Sequence, residues 1–224
     1  VNLNEILRKC IPLGLILAFS SPEGWAKSLP QESPSVAISV FNEAGISPTI
    51  LKQAEEVASR VFEESGIHVE WVNCSPAEEA LGHEAAFPEA AFPDHLHVHI
   101  VRRSLNMKDS VLGVSFLSPD GSGCQADVFY EGIERMYRES LVHTTVILGH
   151  VMAHEIGHLL LGINSHSSRG IMHAHWGKED LTRAEACKLL FAESQSRRMA
   201  QRLRTAMARE KCPSADLTEL LAED

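Results

Sequence analysis

The chain has 224 residues, 44% of them apolar, and a formal net charge of −10. That length supports one ordinary domain with a sizeable core, and the composition is that of a globular protein. The acidic balance, with no basic patch of the kind that tracks phosphates, excludes nucleic acid as an expected partner.

In chain order, the first residues read as an export signal. Arg8 and Lys9 precede an apolar run from Cys10 to Phe19, and Gly24 and Ala26 are small residues at the positions a signal peptidase inspects. The run is too short to span a bilayer comfortably. Residues 1–26 are therefore expected to be cleaved, leaving a secreted or periplasmic chain with no membrane partner. Cleavage removes Arg8, Lys9, Glu5 and Glu23, so the net charge stays at −10. It also removes Cys10 and leaves Cys74, Cys124, Cys187 and Cys212. An even number of cysteines in an exported chain suggests two disulfides. The expected pairings are Cys187–Cys212 and Cys74–Cys124.

A polar, proline-bearing linker ends at residue 35, and residues 35–42 alternate as a strand does. Residues 47–66 predict a helix: Ser47 suits the N-cap, Pro48 the first turn and Gly66 the stop, with Ile50, Ala54, Val57, Ala58, Val61 and Phe62 on one apolar face. Residues 67–73 alternate again. Strand, helix, strand in this order predicts a parallel pair. Residues 74–95 are rich in Ala, Glu and Pro and read as a long loop. Strands are expected at 96–103, 112–118 and 124–131, with the turn 119–123 between the last two. A helix over about 141–162 follows. Thr182 and Glu185 have the spacing of a capping box and predict one long helix from there to about 209.

The chemistry concentrates in residues 150–176. His154-Glu155-Ile156-Gly157-His158 fits H-E-x-x-H. On a helix, residues four apart point the same way, one turn apart, so both imidazoles can bind one ion. Zinc favours such nitrogen donors, and a catalytic site uses three protein ligands and a water. Glu155, beside the first histidine, is placed to take a proton from that water. Gly162 permits a sharp helix exit, after which His166 can fold back as the third ligand. Gly170-Ile171-Met172 offers a tight turn with a methionine that can form an apolar floor.

These residues resemble the metzincin metalloproteases, whose longer signature is H-E-x-x-H-x-x-G-x-x-H followed by a Met-turn. The chain departs from it: Leu161 stands at the glycine position and Asn164 at the third histidine, with Gly162 and His166 following one and two residues later. The spacing from His154 to Met172 looks like that of matrixins. The resemblance implies zinc ligands His154, His158 and His166, Glu155 as general base and Met172 as the turn methionine. His173 and His175 are rivals for the third ligand, as are Glu179 and Glu185, because thermolysin-like enzymes take a glutamate from a following helix. The implied fold is α/β (α+β zincin-like): a mixed five-stranded sheet, an active-site helix followed by the Met-turn, and a long C-terminal helix. Residues 112–118 would form the edge strand that pairs with an extended peptide. No cysteine lies in residues 27–73, so no cysteine-switch propeptide is expected.

The expected organisation is a signal peptide (1–26), a linker (27–35) and a single metalloprotease domain (36–224), divided at 162/163. The expected protein is a monomeric, zinc-dependent endopeptidase acting on peptides or proteins. Two alternatives stand beside it: a zinc hydrolase of a narrow non-protein or cell-wall peptide substrate, and a non-catalytic binding protein on a protease scaffold. Three further expectations concern bland roles. His95, His97 and His99 share one strand face, read as solvated. Asp120 and Asp127 sit near a turn that needs no calcium. The arginines of 196–204 form a solvated helix face with Met199 and Leu203 turned inward.

Overall fold

The computed structural model describes residues 33–74, 95–103, 108 and 110–210. The expected signal (1–26), most of the linker, the 75–94 loop and Cys212 lie outside them.

A five-stranded sheet organises the fold. Strands β1 (Ser35–Phe41), β2 (His68–Cys74), β3 (His95–Val101), β4 (Gly113–Phe116) and β5 (Gln125–Phe129) lie in the order β2-β1-β3-β5-β4. All neighbours run parallel except β4, which pairs antiparallel with β5 at the edge. The fold is thus α/β with a mixed five-stranded sheet, and β1 and β2 form the parallel pair expected from the strand–helix–strand order. Strand alternation turns Val36, Ile38, Val40, Val69, Leu96, Val98, Ile100, Ala126 and Val128 into the core.

Helix α1 (Pro48–Glu63) links β1 to β2. The Ser47 side chain accepts from the Ile50 N–H at 3.3 Å, and Pro48 occupies the first turn. Its buried face is the predicted one, with Leu51 inside and Ile50 only half-buried. Helix α3 (Thr144–Leu161) packs across it. The crossing is close at Gly149, where a Cβ would meet the Ala54 carbonyl oxygen at 2.5 Å and Val57 Cβ at 2.6 Å.

Two features of the helical half differ from expectation. Helix α2 (Tyr130–Ser140) was not foreseen. It grows directly out of β5, with no side-chain cap at Phe129, and it stops at Leu141 in a left-handed conformation (φ 61°). Neither boundary carries the usual Ser, Asp or Gly signal. The single long C-terminal helix is instead two, α4 (Lys178–Glu185) and α5 (Glu193–Glu210). Asp180, rather than Glu185, closes the capping arrangement, its Oδ2 accepting from the Gly177 N–H at 3.0 Å, while Thr182 lies inside α4 and donates to the Lys178 carbonyl. The break contains Cys187 at φ 55° and drives Leu189 and Phe191 into the core.

The cysteine expectation is corrected in part. Cys74 and Cys124 are free. Cys74 ends β2 while Cys124 precedes β5, with β1 and β3 between them. Three strand spacings put them about 14 Å apart across the sheet alone, against the roughly 7 Å a disulfide tolerates. Cys187 is exposed and free, and its expected partner lies outside the described residues.

The β3 histidines are less solvated than expected. His95 is buried, with its Nε2 2.7 Å from Ser39 Oγ; His97 stacks on it; His99 Nδ1 sits 2.7 Å from a Glu43 carboxylate oxygen. Burial pushes the His95 and His97 imidazoles below their usual value, helped at His97 by its two histidine neighbours. Asp120 accepts from the backbone N–H and hydroxyl of Ser122 and so closes its turn by itself. In α5, Met199 and Leu203 are buried as expected. Arg202 leaves the solvated face, its guanidinium donating to the carbonyls of Leu160 (3.2 Å) and Gly121 (3.3 Å). It thereby caps the C-terminal end of α3 and ties the 118–123 turn to it.

Candidate metal centre and active site

His154 and His158 stand one turn apart on α3, on the face that lines the cleft. The helix stops at Gly162 (φ 81°), and Asn164 adds a second left-handed residue (φ 57°). These two reversals turn the chain back on itself, so that two extra residues beyond the metzincin spacing are absorbed in the loop. His166 Nε2 ends 3.1 Å from His158 Nε2, which is itself 3.1 Å from His154 Nε2. Among the described residues, these three form the group of His, Cys, Asp or Glu placed to hold a metal ion.

The outer ring nitrogens explain the orientation. His154 Nδ1 is 2.7 Å from the Ile171 carbonyl oxygen, to which only an N–H can donate. Its Nε2 therefore carries the lone pair. His158 Nδ1 lies 2.6 Å from Ser165 Oγ. Ser165 is held in turn by Gln195 of α5, whose side-chain N–H donates to its carbonyl at 3.2 Å. Trp176 donates its indole N–H to the same Ile171 carbonyl at 3.1 Å and sets its ring edge-on to His154. Such partners fix tautomer and ring direction at metal sites.

The donor set fits a divalent transition ion. With each ring's Nδ1 carrying its proton, the three Nε2 lone pairs would converge on one point, where a cation would bind. Ligands at zinc–nitrogen distances in a tetrahedron stand about 3.3 Å apart, close to the 3.1 Å seen. Burial pushes the His154 imidazole down to about 4, against a smaller upward pull from the Ile171 carbonyl. His158 goes down to about 3 through burial and its two histidine neighbours. Both are neutral near pH 7, the form that ligates.

Glu155 projects beside His154 and is almost fully buried. The edge strand makes its slot. Gly113 and Ser115, two apart and hence on one strand face, both meet it. Ser115 Oγ lies 2.7 Å from Glu155 Oε2, and a Cβ on Gly113 would come within 2.7 Å of Glu155 Cγ and Oε1. Burial pushes the carboxyl up to about 7, partly offset by the Ser115 hydroxyl. Below the ligands, Met172 is fully buried. A Cβ at Gly157 would meet its sulfur at 2.8 Å and Phe191 Cε1 at 2.7 Å, so the glycine between the two ligands admits the thioether. The chain turns at Gly170–His173, closed by the His173 N–H donating to the Gly170 carbonyl at 3.0 Å.

The rival residues do not join the converging group, although His173 and His175 line the same cleft. His173 pairs through Nδ1 with Asp180 at 3.2 Å, and His175 lines the cleft without joining the converging set. Glu179 is ion-paired to Arg183 on the surface, and Glu185 is exposed. His150, one turn before His154, is buried, its Nδ1 2.8 Å from the Val146 carbonyl oxygen. Sequence reasoning missed Gly113, Ser115, Ser165 and Gln195. Only the alternation of two small residues in Gly113-Val114-Ser115 carried a signal.

All this lies along a cleft of about 900 Å³, bounded by residues 110–115 and Leu117, helix α2, the three histidines and residues 173–176.

No family model matches the chain, and no curated protein matches it. Among solved structures it is similar to archaemetzincin from Methanopyrus kandleri, at 15% identity over 79% of this chain and 99% of that one, with a TM-score of 0.46. It is also similar to metalloproteinase-II from Bacteroides fragilis, at 12% identity over 78% of this chain and 55% of that one, again with a TM-score of 0.46.

Proposed function

We propose that the chain is an exported zinc metallopeptidase that hydrolyses internal peptide bonds. The observation that carries this reading is the convergence of three imidazole nitrogens, 3.1 Å between neighbours, beside a buried carboxylate in an open cleft. His154, His158 and His166 would hold the ion. Zinc bound there would supply Lewis-acid polarisation of the scissile carbonyl and make water acidic enough to attack near neutral pH.

Glu155 acts as base and then acid. Ser115 holds its Oε2, which leaves Oε1 to accept the proton of the attacking water and deliver it to the leaving amine. A carboxyl raised by burial toward neutral pH takes the water's proton more strongly than an ordinary carboxylate does. Met172 serves as an apolar floor that fixes the two helical ligands from below. Strand β4 lies at the sheet edge next to Glu155 and offers its free backbone groups to an extended peptide. Export is proposed from residues 1–26 alone. The buried Glu155 in its made-to-measure slot favours catalysis over a purely binding role.

The test is incubation of the zinc-loaded chain with a mixed peptide library, in parallel with Glu155→Ala, and mass spectrometry of the products. Cuts made by the wild type and lost in the variant, with zinc content equal, are expected. Identical products from both, or none from either at full zinc occupancy, would overturn the reading.

A further inference from the structure

Helix α2, the element absent from the sequence expectation, forms one wall of the cleft through Gly132, Arg135, Met136 and Glu139. Gly132 faces the loop that leads into β4. A Cβ there would meet Leu112 Cδ2 at 3.0 Å, the Val111 carbonyl oxygen at 3.5 Å and Arg135 Nη2 at 3.6 Å. The Arg135 guanidinium thus approaches the bare glycine on the side that residues 111 and 112 also approach. The next residue, Gly113, rests on Glu155.

Arg135 is half-buried, lines the cleft and makes no hydrogen bond or ion pair among the described residues. Its candidate counter-ions one turn either side, Glu131 and Glu139, are both exposed and unpaired with it. With no anion against it among the described residues, this half-buried guanidinium beside Leu112, Met136 and Gly132 of the cleft wall is open to one, and its planar fork matches a carboxylate.

We propose that Arg135 gives the cleft a carboxylate-binding subsite, so that the preferred substrates are peptides with a carboxylate close to the scissile bond. The proposal rests on the peptidase reading above. Leu112, which approaches the same bare glycine as Arg135 Nη2, is joined directly to Gly113, which rests on Glu155, and all of them line one cleft. Because an extended peptide advances about 3.3–3.6 Å per residue, the carboxylate belongs to a residue near the bond that is cut. It is supplied either by an Asp or Glu side chain or by the peptide's own C-terminus.

The experiment compares matched peptides on the zinc-loaded chain: Glu against Gln at each position flanking the cut, and a free against an amidated C-terminus. Wild-type kcat/KM is expected to favour one carboxylate form by about tenfold or more, as a charge-assisted hydrogen bond allows. Arg135→Met is expected to bring that ratio to within about twofold, and Arg135→Glu to reverse it toward Lys peptides. Preference for Glu over Gln identifies the side chain, and preference for the free acid identifies the terminus. Equal rates for all pairs in the wild type, or an unchanged ratio in Arg135→Met, would overturn the proposal. Fluorescence anisotropy of the same peptides on zinc-loaded Glu155→Gln reads carboxylate recognition without hydrolysis. Carboxylate-selective binding with no turnover by the wild type would therefore sink the peptidase reading and keep the subsite, whereas turnover without selectivity does the opposite.

Discussion

Gly113→Ala tests the slot that the edge strand makes for Glu155. The added Cβ would stand 2.7 Å from Glu155 Cγ and Oε1 and 2.9 Å from the Asp127 carbonyl oxygen. Ordinary contact between carbons begins near 3.5 Å, so the shortfall is about 0.8 Å. The Asp127 carbonyl belongs to the backbone of β5, paired with β4, and gives little. The Glu155 side chain must therefore move. Gly113 has no positive φ, so the effect is steric and not conformational. Overpacking of this kind costs about 1–3 kcal/mol, which lowers Tm by about 3–9 °C for a domain of this size. With Glu155 as the proposed general base, displacing it by about 1 Å should cost about 100-fold in rate, equivalent to about 2.7 kcal/mol of transition-state stabilisation. The atoms nearest the added Cβ belong to Glu155 and Asp127 and to none of the three imidazoles, so zinc content should hold. The assay pairs kcat/KM on a library-derived peptide with metal analysis and thermal melting. Activity within threefold of wild type in a zinc-replete, folded Gly113→Ala would refute the argument that β4 positions Glu155.

His166→Ala should weaken zinc binding by more than about 100-fold in chelator competition, while His173→Ala and His175→Ala stay within about tenfold; the reverse order would assign the third ligand elsewhere. Glu55 is buried on α1 with an unpartnered Oε1, and burial raises its carboxyl above 4.5 despite a hydrogen bond from Asn73. Its raised folded-state pKa favours the native state below about pH 4.5, and that contribution is lost as pH rises through the folded value. Glu55→Gln should therefore raise Tm more at pH 7.5 than at pH 4.5, and an equal shift at both would contradict the assignment. Gly157→Ala, which forces Met172 and Phe191 apart, should cost about 1–3 kcal/mol in urea unfolding and should loosen zinc; a neutral result would mean the thioether has room to yield.

Local signals settled the parts of this protein in which one element answers to its own residues. Ser47, Pro48 and Gly66 bounded α1 because capping and turn conformations are properties of a few adjacent residues. His154 and His158 shared a face because the helical period is fixed. The alternating strands were legible for the same reason, and with them the parallel pairing of β1 and β2. Tertiary structure decided the rest. Helix α2 has no side-chain cap at its start and stops at a left-handed leucine rather than a glycine, and its position follows from β5 running straight into it. The break between α4 and α5 goes with burying Leu189 in the core and Phe191 beside Gly157 and Met172, which outweighs the local pattern that would continue the helix. Cys74 and Cys124 were compatible by count and separated by topology. The reach of His166 depended on two left-handed residues and on Ser165 and Gln195 behind it. The carboxylate slot joins residues more than forty positions apart, Gly113 with Glu155, and no local period can announce a contact between a bare glycine on one element and a side chain on another.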